Sequence, residues 1–160
     1  TLLDSIAGIE PLQSGDRIVN GEIGYVLPIT GIQEKMTCLE NFYIEGFLCH
    51  KRKKEVDYWL IHHSHAYGIA EYLNKKVKDL STGMRVRLMI ALSMLKSPDL
   101  LLLDEAFNAL DPKSVIQIKE LLMKKKEEGL SLIFVSHQPQ DFEGLCENLL
   151  ELPSFEVKSL

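Results

Sequence analysis

The sequence predicts an α/β fold, a parallel sheet interrupted by an inserted helical block. Leu100–Asp104 ("LLLLD") and Leu132–Val135 are short continuous apolar runs, the pattern of strands buried on both faces. Between them, Pro112 to about Glu127 has helical periodicity, and neighbouring parallel strands need such a crossover. The stretch from about Glu34 to Leu80 is helical almost throughout and breaks the strand–helix alternation. The expected organisation is a core made of 1–33 and 81–160, with a helical subdomain over about 34–80.

Along the chain, Thr1–Ala7 reads as a helix stopped at Gly8, followed by a loop with Pro11 and Ser14-Gly15. Asp16–Val19 and Glu22–Val26 are strand-like around the turn dipeptide Asn20-Gly21. A loop with Pro28 and Gly31 leads into helices over Thr37–Cys49 and Lys53–His65 and a shorter one near Ile69–Lys75. Ser81 is placed to cap a helix running to about Lys96, and Pro112 suits the first turn of the next. Gly129 ends that helix. A polar loop follows Val135, then a helix near Gln138–Cys146 and short strands around Asn148–Leu152 and Phe155–Lys158.

The bulk numbers narrow the function classes. The 160 residues are 46% hydrophobic and 26% charged, an ordinary globular composition for one domain. A net charge of −5 recruits no nucleic acid, and the basic run His50–Glu55 ("HKRKKE") reads as a solvated helix start. No stretch approaches the roughly 18 apolar residues of a membrane span. Cys38, Cys49 and Cys146 are odd in number and unpaired in pattern, which points to free thiols in a reducing compartment. Absence of an initiator Met and of a cap before the first helix makes the start look cut from something longer.

Asp104 and Glu105 end a buried strand, where a charge is costly unless it is paired or holds a metal. Ser136-His137 ends the other strand. Sites in open parallel sheets form at the carboxyl ends of strands, so two acids and an imidazole converge there, a set suited to magnesium and the activation of water. Either end alone is better read as a turn cap or a loop residue; the coincidence of both favours a site. In "DLSTGMRVRL" (Asp79–Leu88), Ser81 and Gly83 lie at a helix start, where free N–H groups attract anions, although an ordinary serine cap explains Ser81 on its own.

Taken together, these stretches resemble the ATP-binding cassette (ABC) ATPases over nearly the whole chain. "LSTGM" at Leu80–Met84 looks like the signature motif, commonly LSGGQ, with Thr82 in place of a glycine and Met84 in place of the glutamine. "LLLLDE" resembles the Walker B strand with its adjacent glutamate, "NALD" at Asn108–Asp111 the D-loop, and "SHQ" at Ser136–Gln138 the switch histidine. "TLLDSIAGIEPLQSG" looks like the stretch directly after a Walker A motif, and the chain contains no Gly-Lys pair. The phosphate-cradling loop and its strand, expected beside Leu132–Val135, are therefore read as missing, and the chain as inactive and poorly stable alone.

The resemblance implies an ATP-binding, ATP-hydrolysing subunit that powers solute transport from the cytoplasmic face of the membrane, with ATP and Mg2+ as cofactors. It implies that Asp104 sits near magnesium through water, that Glu105 polarises the attacking water, and that His137 contacts the γ-phosphate. Ser81, Thr82, Gly83 and Met84 would close over ATP held by a second nucleotide-binding domain. Asn108 and Asp111 would couple the two sites, and Thr1 would follow the magnesium-binding hydroxyl. The helical block would grip a transmembrane permease; no nucleic acid is expected. Pro28 occupies the place of the family's Q-loop glutamine and brings no polar side chain. That departure raises a regulatory, non-hydrolysing cassette as a rival, against which Asp104, Glu105 and His137 argue. A soluble cassette ATPase of DNA repair or ribosomes is the other rival; the short insert argues against the first of these. "HHSH" at His62–His65 reads as a solvated helix face, Tyr58 and Trp59 as packing residues, and Cys38 and Cys49 as buried small side chains.

Overall fold

The computed structural model describes residues 2–12, 14–26, 31–138, 144–151 and 156–159. Thr1 and Pro28, both singled out above, lie outside the described residues, as does most of the helix expected near Gln138–Cys146.

Three strands form one parallel sheet: β1 (Ile23–Val26), β2 (Leu100–Asp104) and β3 (Ser131–Val135), in that order. The register sets Val26 against Leu103, and Asp104 against Val135. Leu101, Leu102 and Leu103 are fully buried, because both faces of β2 are covered, as its unbroken leucine run requires. β3 lies at the end of this sheet and is only half buried. Asn148–Glu151 and Glu156–Ser159 pair separately as an antiparallel hairpin.

Helix α1 (Leu2–Ala7) packs against β2 and stops at Gly8, whose φ of +79° is the left-handed conformation that suits glycine. Asp16–Val19, expected as a strand, is irregular. Asp16, Arg17 and Ile18 are exposed, Ile18 by 84%, so no apolar layer rewards pairing. Helix α2 (Cys38–Leu48) begins with a capping box: Glu40 N donates to Thr37 Oγ1 at 3.1 Å and Thr37 N to Glu40 Oε2 at 2.7 Å. The buried Asn41 amide donates to the carbonyls of Gln33 and Thr37 and accepts from Gln33 N, which pins the loop that enters the helical block.

Helix α3 (Lys53–His63) stops two residues short of the expected His65. Trp59 sits between the rings of Phe42 and Tyr67, at 5.5 and 5.4 Å. Tyr58, expected to pack, is instead 65% exposed, since it points away from that stack. The helix expected near Ile69–Lys75 is one 3-10 turn, Ala70–Tyr72, and a second such turn spans Val77–Asp79. Helix α4 (Thr82–Leu95), capped by Ser81, is buried from Leu88 to Leu95. Helix α5 (Pro112–Glu127) carries Pro112 in its first turn and is capped by Asp111. Of the helix expected near Gln138–Cys146, the described Gly144 and Leu145 form a turn. One continuous core joins Phe42, Val56 and Tyr67 of the helical block to Leu88 of α4, Leu103 of β2 and Ile118 of α5.

The cysteines are unpaired. Cys38 is fully buried and its thiol is pushed up to about 11, mainly by that burial. Because the thiolate is the reactive form, iodoacetamide at neutral pH should label Cys38 at least about tenfold more slowly in the folded chain than in urea. Equal rates, read by mass spectrometry of the Cys38 peptide, would contradict this packing. Cys49, expected to be buried, is only partly so, because it caps the end of α2.

Candidate functional site

The carboxyl ends of β2 and β3 lie side by side because the two strands pair in register through Asp104 and Val135. That pairing carries the chain beyond each strand to the same edge of the sheet. Glu105 departs from the strand with φ of +47°, a left-handed conformation that costs a non-glycine residue about 1–3 kcal/mol. Its backbone N–H donates to Val135 O at 2.8 Å, so the strand pairing itself holds the turn. The carboxylate is thereby aimed along the sheet edge.

Glu105 Oε1 lies 2.9 Å from His137 Nε2, and Oε2 accepts from Asn108 Nδ2 at 2.7 Å. Gln138 Nε2 in turn donates to Asn108 Oδ1 at 3.3 Å. One carboxylate therefore gathers residues from the ends of two strands. The His137 side chain is 85% exposed and so open to a ligand arriving from solvent. Gln138 had no role in the sequence reading beyond its place in "SHQ"; nothing in spacing alone brings it to Asn108.

Asp104 occupies the last position of β2 and is half buried. Burial holds its carboxyl above the ordinary carboxylate range, and the negative charges of Glu105 and Asp4 push the same way. Asp4 comes from α1 and accepts a hydrogen bond from Tyr25 Oη at 3.1 Å. The sequence offered no signal for Asp4, because its approach depends on how α1 packs at the end of β2. These three acids create a demand for positive charge. Among the described residues, no three His, Cys, Asp or Glu side chains converge to hold a metal by themselves. The donor set nonetheless fits magnesium, which is commonly held by one or two carboxylates together with water and substrate phosphates.

The second cluster surrounds the start of α4. Ser81 Oγ accepts from Met84 N at 3.3 Å, leaving the first-turn N–H groups of Thr82 and Gly83 without intrahelical partners, as at any helix start. Gly83 lies so close to the neighbouring segment that a Cβ there would come within 3.0 Å of Ala109 O. Asp111 Oδ1 accepts from Ser114 N at 3.0 Å, and Oδ2 accepts from the Ser114 hydroxyl. These hydrogen bonds hold the Asp111 carboxyl below its usual range. Gly83, Ala109 and Asp111 border one open depression of about 490 Å³ that also touches Tyr72 and Arg87.

The structure thus brings the expected residues together as two groups, Glu105–His137–Asn108 and Ser81–Met84 with Asp111. The segment Glu105–Asp111 runs from one to the other.

A family model described as ABC transporter matches residues 1–108. The chain is 33% identical over 156 residues to an uncharacterised ABC transporter ATP-binding protein of Methanocaldococcus jannaschii, covering 95% of this chain and 58% of that one. It is 28% identical over 149 residues to the teichoic acids export ATP-binding protein of Enterococcus faecalis, covering 93% of this chain and 33% of the other. The chain spans about half the length of the curated relatives it matches. A solved ATP-binding subunit of an ABC transporter superposes with a TM-score of 0.79 at 20% identity, over 92% of this chain and 66% of that one. At that identity the likeness shows a shared fold.

Proposed function

Because the chain belongs to the ABC transporter family, we propose that it forms part of an ATP-binding, ATP-hydrolysing subunit that powers solute transport from the inner face of a membrane. The observation that carries this reading is the Glu105 carboxylate held between His137 and Asn108 where β2 and β3 end. Glu105 takes a proton from, and orients, the water that attacks the γ-phosphate. His137, exposed beside it, donates a hydrogen bond to the phosphate oxygens. Asp104 would hold magnesium through water, and the ion would supply neutralisation of the phosphate charge. Such catalysis is positioning and charge neutralisation rather than covalent chemistry.

Ser81, Thr82, Gly83 and Met84 serve the ATP of a second nucleotide-binding domain. The start of α4 offers its unpaired N–H groups and the positive end of its dipole to an anion. Asn108 and Asp111 lie on the segment that links both groups and couple them across the dimer. Thr1 belongs beside the nucleotide on the strength of resemblance alone. On a division into an ATPase core, 1–33 and 81–160, and a helical block over about 34–80, the block would be the part that meets a transmembrane permease. No helix among the described residues is long and apolar enough to cross a membrane.

The test uses the full-length protein that contains this chain. Calorimetry should show ATP binding that strengthens with magnesium, and phosphate release should require both. A full-length protein that binds no ATP would end the reading. One that binds ATP tightly but never releases phosphate, even with its permease, would favour the non-hydrolysing regulatory cassette.

A further inference from the structure

Arg87 lies one helical turn beyond Gly83 on the same face of α4, and that face meets the segment leading into α5. Its Nη2 donates to the Ser114 hydroxyl and, at 3.0 Å, to Gln117 Oε1. Ser114 is buried, only 4% exposed, and its hydroxyl in turn donates a hydrogen bond to Asp111 Oδ2. The chain Arg87–Ser114–Asp111 therefore ties the body of α4 to the cap of α5. On its other side the guanidinium lies against Gly68. A Cβ at that residue would fall 2.0 Å from Arg87 Nη1, and its φ of +66° is one that side chains rarely adopt. The glycine leaves the space that the guanidinium fills. One planar cation thus touches the helical block, α4 and α5 together, and its fork of donors suits two acceptors at once.

Near Gly83, α4 meets the segment by close approach to Ala109 O. A backbone contact of that kind sets a distance but not an angle, and the bonds of Arg87 supply the second point. With both in place, the start of α4 cannot rotate about Ala109 without breaking hydrogen bonds to a buried serine. We propose that Arg87 is a positioning residue: it fixes the orientation of Ser81–Met84 relative to Asn108–Asp111, so that a phosphate meeting the start of α4 is sensed by the segment that ends at Glu105. The role rests on the ATPase reading above.

The experiment compares the full-length wild type with Arg87→Met, Arg87→Lys and Ser114→Ala. Hydrogen exchange across 105–117, melting temperature, ATP affinity, kcat and the Hill coefficient for ATP are measured for each. Arg87→Met should raise exchange at Leu110 and Ser114 and lower kcat about tenfold, within the range that removing a coupling contact produces. The Hill coefficient should fall toward 1 while ATP affinity stays within about twofold. Arg87→Lys keeps the charge but not the fork, and should recover kcat only in part. In the Arg87→Met background, Ser114→Ala should add little, because both act through one link. A wild type with no ATP turnover overturns the ATPase reading and this role together, at the control. Increased exchange with wild-type kcat and Hill coefficient overturns the positioning role alone, as does a kcat loss that only follows the fraction unfolded.

Discussion

Glu105→Gln should lower ATP turnover of the full-length protein by about two orders of magnitude, the size typical of a positioned catalytic group. ATP binding should persist. The substitution keeps the length and shape of the side chain and removes the charge that draws a proton from water. The site accommodates the change: the turn is held by the Glu105 N–H bond to Val135 O, which no side chain alters. Gln retains one acceptor for either His137 or Asn108, and the Asn108 amide can rotate to suit the new donor. Phosphate release measures the loss and calorimetry measures the retained binding. Turnover at the wild-type rate would remove Glu105 from the chemistry. The left-handed backbone at Glu105 would then need another explanation.

The second large effect is at Gly83. Gly83→Asp should abolish ATP-driven dimerisation while the monomer still binds nucleotide. Two terms act at this position and have different consequences. A Cβ would approach Ala109 O to 3.0 Å, a tight contact that the neighbouring segment must yield to. A carboxylate in the first turn of α4 is locally favourable for the helix by up to about 1 kcal/mol, so the chain still folds. That same charge faces a phosphate that the helix start would otherwise attract, and like charges at close range in a partly dry interface repel strongly. Gly83→Ala carries the steric term without the charge and separates the two. In a Glu105→Gln background, which accumulates the ATP-bound state, gel filtration should show a dimer with Gly83 and a weakened dimer with Ala. It should show only monomer with Asp. A normal dimer with Asp would place Ser81–Met84 away from the partner's nucleotide.

Much of this was legible in the chain itself, for reasons that are local. The leucine run ending at Asp104 reads as a doubly covered strand because only such a strand tolerates apolar residues at every position. Ser81 and Pro112 mark helix starts through the donors they satisfy or lack, and both stand where expected; the cap that Asp111 supplies to α5 emerged only from the structure. Asp104, Glu105 and His137 could be named as candidates because strand ends attract sites, whereas Asn108 was named only through the family resemblance. Two errors were local in origin as well. Asp16–Val19 has the composition of a strand but finds no partner surface, since β propensity expresses packing on a pleated face more than a backbone preference. Tyr58 lies next to Trp59 in sequence, yet helical rotation sends one into the ring stack and the other to solvent.

By itself the sequence determined most of the helices and strands, the Ser81 cap, and the acids and imidazole at the strand ends, because each depends on neighbours within a few positions. Only the tertiary structure decided that Glu105 takes up a left-handed turn and that His137 and Asn108 meet its two oxygens. The same holds for the added charge of Asp4 on Asp104 and for the bonding of Arg87 to Ser114 over a bare Gly68. Those arrangements rest on the register of β2 against β3 and on the close approach of α4 to the segment before α5. Each joins residues distant in the chain, and a single chain read in order carries no measure of such distances.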